Sequence, residues 1–185
     1  MNTQQQIDEL SRLAADVRSA FGELDAGQIN WKPSPERWSV GQCFDHLTTA
    51  NGEYLTIFEK VARGEKRTRF WERVPLLPSL FGKLILQGVA PETKRKFKAP
   101  AIFQPSSSAL DAGVIERFLV QQEKIKTAMR GAAQLDAAQI IITSPISKLI
   151  TLSLRDAYAV IIAHEKRHFL QAQRVQEEAS FPRER

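Results

Sequence analysis

The run His164-Glu165-Lys166-Arg167-His168 carries two imidazoles four residues apart, the spacing at which helical side chains stand one turn above each other. With Ala157 as origin and 100° per residue, Ile161, His164, His168, Gln171 and Val175 fall within roughly 40° of one line. That line is the inward stripe of a helix predicted over residues 153–176. Two inward rings are satisfied either by hydrogen bonds within the core or by one cation that takes a lone pair from each. The cation keeps both rings neutral and buries no imidazolium, which favours it for a pair centred on the stripe. The run also matches H-E-x-x-H, in which the glutamate is the base of a zinc protease. Glu165 is therefore the candidate catalytic residue, about 80° from the stripe centre. An ordinary rim salt bridge is the other use of that position. The protease reading weakens downstream, where Gln171 and Arg174 replace the glycine and histidine of a metzincin.

A third ligand must come from upstream, and the other histidine of the chain is His46. Ser39 and Gln42 form a capping box that opens a helix, with Trp38 placed to staple onto Cys43. The stripe of this helix reads Cys43, Leu47, Ala50, Tyr54, Ile57 or Phe58, and Val61, with His46 about 60° from the Cys43 line on the inward half. Three neutral imidazoles on facing helices leave a coordination position open for water or substrate, as catalytic sites do. Cys43, three residues before His46, is either a small core hydrophobe or a soft fourth ligand. If it closes the site, the metal is structural and the protein is a non-catalytic module that binds or senses a small molecule. Gln171, one turn beyond His168, is a candidate to orient a ligand or bound water. Imidazoles suit several metals; zinc or nickel is the first expectation, with iron or manganese next.

The elements that must position these residues are four long helices. Ile7, Leu10, Ala14, Val17, Phe21 and Leu24 mark the first, over residues 2–24. The second starts at Ser39. The third is predicted from about Ser108, with Asp111 in its first turn, through Val114, Phe118, Gln121, Ile125 and Met129 to a stop at Gly131. The fourth is capped by Ser153, with Asp156 three residues on. Residues 25–35 read as a connection, and Ile140-Ile141-Ile142-Thr143 as an extended linker too isolated to build a sheet. Residues 64–108 form a long crossover between helices two and three, holding a short amphipathic helix over 76–89 that covers the bundle ends. The fold class is all-α, a four-helix bundle in one domain spanning residues 1–185.

The segment Trp38-Ser39-Val40-Gly41-Gln42-Cys43-Phe44-Asp45-His46-Leu47, with Ser153-Leu154-Arg155-Asp156 leading into His164-Glu165-Lys166-Arg167-His168 and Gln171, resembles the DinB-like superfamily of metal-binding four-helix bundles. Lys94-Arg95-Lys96-Phe97-Lys98-Ala99-Pro100 is similar to one branch of it. The resemblance implies His46, His164 and His168 as the metal ligands. It also implies a metal-dependent enzyme, either a hydrolase or a transferase or isomerase that uses a low-molecular-weight thiol such as bacillithiol, mycothiol or glutathione.

The rest of the composition narrows the partners. A single cysteine excludes an internal disulfide, and Met1-Asn2-Thr3-Gln4-Gln5-Gln6 lacks the layout of a signal peptide, so a cytoplasmic location is expected. No apolar run approaches the ~18 residues of a membrane span. A net charge of +5 over 185 residues suits solubility better than nucleic-acid binding. A small-molecule substrate is expected, with no nucleic acid and no membrane. The cluster at Lys94, Arg95, Lys96 and Lys98 is a solvated face or a grip on an anionic substrate. Phe70, Trp71, Leu76, Leu77 and Phe81 form a candidate homodimer surface.

Overall fold

The computed structural model describes residues 1–67, 72, 77–89, 109–147 and 150–183. Helix α1 spans Thr3–Phe21 and starts at a capping box in which the Asn2 side chain accepts the Gln5 N–H and the Gln5 side chain accepts the Asn2 N–H. The next turn differs from expectation. Asp25 and Gln28 form a second capping box, and Ala26–Asn30 becomes a short helix, α2, inside the segment read as a connection. Helix α3, Val40–Ala62, begins at Ser39 and Gln42 as the sequence predicts, and buries Cys43, Leu47, Ala50, Tyr54, Phe58 and Val61. Helix α4, Leu77–Val89, lies in the crossover and packs on the last helix; its side chains are described at 82 and 84–89.

Helix α5, Val114–Gly131, starts later than the sequence suggests. The Asp111 carboxylate accepts the Gly113 N–H and the Arg117 guanidinium, so it organises the turn before the helix rather than the first turn within it. Its buried polar residues are Gln122 and Lys126, not Gln121, whose side-chain amide donates to the Thr48 carbonyl at the helix flank.

The isoleucine run corrects the linker reading. Strand β1, Ile141–Thr143, pairs antiparallel with β2, Thr151–Ser153, in the register Ile141 to Ser153. The partner strand is the residues leading into the last helix, α6, Leu154–Gln176. Backbone carbonyls beside this ribbon accept the first N–H groups of α6: Leu154 donates to Ile140 at 2.8 Å and Arg155 to Ala137 at 2.9 Å. Those donors have no partner within a helix, so the ribbon and the Ser153 hydroxyl together cap α6.

The four long helices pack in a closed circuit, α1 against α5, α5 against α3, α3 against α6 and α6 against α1, which gives an all-α fold with one two-stranded ribbon. Two apolar clusters fill it. One holds Leu10, Phe58, Ile125, Met129, Tyr158 and Ile161; the other holds Phe21, Phe44, Leu47, Phe118, Ala172 and Val175. Among the described residues no helix is long and apolar enough to cross a membrane. Phe70, Trp71, Leu76, Ser108 and residues 94–100 lie outside the described residues, as do the side chains of Leu77 and Phe81.

Candidate metal centre

Three histidines converge between α3 and α6. His46 Nε2 and His168 Nε2 each lie 3.1 Å from His164 Nε2, and one ring nitrogen of each residue falls within 4.8 Å of the other two. His46 and His168 are buried, and His164 is half-buried at the edge of the inner face of α6. Burial pushes His164 down to about 3, assisted by His46 and the nearby Arg167 charge. The same burial, with His164, His46 and Arg167, holds His168 well below its ordinary value. Both rings are therefore neutral near pH 7 and offer lone pairs.

The donor set fits a dication. Three nitrogens bound tetrahedrally to zinc at ~2.05 Å lie about 3.3 Å apart, close to the 3.1 Å contacts here. Without an ion, His164 Nε2 faces two nitrogens while carrying at most one proton, so one contact has to rely on a shared hydrogen bond. Trp38 walls the centre, stacked on His168 at 5.6 Å between ring centroids and 15° between planes, and tilted against His46 at 5.0 Å. The Arg167 guanidinium donates to the Gly88 carbonyl, so α4 is tied to α6 between the two histidines.

The other sequence candidates fall in different places. Cys43 is fully buried in the apolar cluster around Phe44 and is not among the ligand group; burial pushes its thiol pKa upward. Gln171 lies beside His168 and its amide favours the protonated ring, but no bond to the buried Nδ1 reaches hydrogen-bonding geometry. Glu165 points into the core. Its Oε1 accepts from Asn51 Nδ2 at 2.7 Å and from Gln122 Nε2 at 2.9 Å, while Oε2 is buried without a partner among the described residues. Burial raises its pKa to about 8 against the pull of those two bonds. The rim ion pair at this turn is made by Lys166 with Glu9 instead.

Asn51, Gln122 and Arg167 are neighbours of the site that sequence reasoning did not single out, and Trp38 is one it read only as a staple onto Cys43. Asn51 had a signal, a polar residue between Leu47 and Tyr54 on the inward stripe of α3. Gln122 was masked by Gln121 beside it, one helical step away. Two pockets among the described residues, of about 670 and 360 Å³, lie by the C-terminal end of α3 and the ribbon, and none of the three histidines lines them.

This combination of helical circuit and buried histidine cluster is compatible with a metal-binding helical protein, and comparison with known proteins places the chain within a family. The DinB superfamily model matches residues 9–172, so the chain belongs to the DinB superfamily. It is also similar to the uncharacterized protein YuaE of Bacillus subtilis (strain 168), at 24% identity over 155 residues, which cover 83% of this chain and 86% of that protein. No solved structure matches it.

Proposed function

We propose that the protein binds one divalent ion, zinc or nickel, through Nε2 of His46, His164 and His168, and that it is a metal-dependent enzyme, a hydrolase or a thiol-dependent transferase. The convergence of three imidazole nitrogens on one point carries this reading. When bound, the ion supplies a Lewis acid that makes a coordinated water or thiol acidic near neutral pH.

The chain's own residues do the remainder. His46 is presented by α3, and His164 and His168 by successive turns of α6, so the donor triangle depends on how these two helices pack. Trp38 excludes water from the His168 side of the centre. Arg167 places a positive charge beside His164 and His168, which favours an anionic substrate group there and keeps both rings unprotonated. A structural metal in a binding or sensing module needs a closed set of four protein ligands, and among the described residues the group has three. The single, buried Cys43 suits a reducing cytoplasm. A small molecule is the proposed substrate, with neither nucleic acid nor membrane as partner.

The test is elemental analysis of protein purified without chelator or histidine tag, with His46→Ala and His168→Ala in parallel. About one ion per chain in the wild type, lost in both variants, is the expected result. Wild-type protein that takes up neither zinc nor nickel on addition, or variants that bind as tightly as wild type, would refute the assignment.

A further inference from the structure

We infer that Glu165 is a positioning residue whose carboxyl group, gripped by Asn51 and Gln122, sets the rotation of α6 that turns His164 and His168 toward His46. The inference rests on the metal-binding reading above.

Apolar packing leaves this rotation to the polar groups. The two apolar clusters stop on either side of one layer: Leu47 and Tyr54 flank Asn51 on α3, Leu119 and Ile125 flank Gln122 on α5, and Ile162 and Ala172 flank Glu165 on α6. Apolar contacts are non-directional, whereas a buried amide has to meet its acceptor along a defined line. Glu165 Oε1 accepts two such bonds from two different helices, so α6 is referenced to α3 and α5 through one atom. Asn51 follows His46 by five residues, and Glu165 adjoins His164. The Asn51 to Glu165 bond and the His46 to His164 contact are thus neighbouring links between the same two helices. Turning α6 by one residue, about 100°, would move both rings off His46 and strip the two amides of their acceptor. A base acting on water at the metal has to touch that water, and the Glu165 carboxylate lies outside the cluster of ligand atoms.

The experiment titrates cobalt(II) into metal-free, full-length protein and reads affinity together with the visible absorption, which reports coordination geometry. Glu165→Gln keeps a carbonyl acceptor and is expected to match the wild type in both. Glu165→Leu, helical by circular dichroism, is expected to bind at least about tenfold more weakly, with an altered spectrum. Should that variant fail to fold, Asn51→Leu is expected to show the same loss. Wild-type binding in the leucine variants would overturn the inference, and so would a glutamine variant as impaired as the leucine one, since the charge would then matter rather than the bond. A thermal melting cycle of Asn51→Leu with Glu165→Leu in metal-free protein provides the second arm. The double variant is expected to melt no lower than the worse single variant; additive losses would show that the two residues do not act as a unit. If the wild type itself binds neither cobalt nor zinc, the metal reading fails, and the melting cycle still decides the helix-locking role.

Discussion

Metal-free protein is expected to lose stability as pH rises from 6.5 to 8, and Glu165→Gln to remove that loss. Burial raises the Glu165 pKa from 4.5 to about 8, above its unfolded value, so the folded state keeps a proton that the unfolded chain has released. The stabilisation from that proton is fully present below pH 4.5 and is lost as pH rises through 8, at about 1.4 kcal/mol per pH unit. The histidines run the other way. Burial lowers His164 from 6.5 to about 3, so its contribution is present above pH 6.5 and is lost as pH falls toward 3. His168 moves in the same direction for the same cause. Below pH 6.5 the histidines oppose the glutamate; from 6.5 to 8 the glutamate acts without them and about 2 kcal/mol should be lost. Urea unfolding in chelator across pH 5 to 7.5 isolates the carboxyl as the difference between wild type and Glu165→Gln. That difference should shift by about 3 kcal/mol against the wild type over the range. A difference independent of pH would show that Glu165 titrates alike in both states and would refute the argument.

Two further outcomes follow from packing. Cys43 should not react with a disulfide reagent until the protein unfolds, and Cys43→Ala should leave zinc affinity within about twofold while lowering stability by about 1 kcal/mol; a large loss of affinity would restore the thiol as a fourth ligand. At Gly41 an added Cβ would meet Ile29 Cγ2 at 2.6 Å, so Gly41→Ala should cost about 1–3 kcal/mol in urea unfolding, and an unchanged midpoint would mean that α2 is not seated there.

The long helices, and the starts of three of them, were legible because their causes are local; the start of α5, which has no side-chain cap, was placed too early. Asn2, Ser39 and Ser153 each supply a side-chain acceptor to an N–H three residues on, and apolar residues recur at helical spacing behind them. The local signal at Asp25 and Gln28 is just as strong, although residues 25–35 read as a connection. The β ribbon was not legible from its own residues. Ile141–Thr143 is a strand because Thr151–Ser153 lies opposite and α6 needs acceptors for its first N–H groups, and both causes are tertiary.

The histidine triad was legible through a rotation that was itself slightly misplaced. A stripe drawn through Ile161, His164, His168 and Val175 centres the inner face of α6 on the imidazoles, whereas the fully buried set includes Leu154, Tyr158, Glu165 and Ala172 and shifts that centre toward the carboxylate. The histidines belong to the flank of the face. That flank is what a reactive centre requires, because a ring at the core centre would meet only packed side chains, while His164 stays half-buried. The buried position that hydrophobic periodicity assigns to an imidazole is held by Glu165, a carboxyl at the core centre that no apolar contact can satisfy. Its hydrogen bonds to Asn51 and Gln122 then make the angle of α6 a matter of direction rather than of volume. The arrangement thus places the least tolerant contacts in the core directly behind the residues whose geometry matters most.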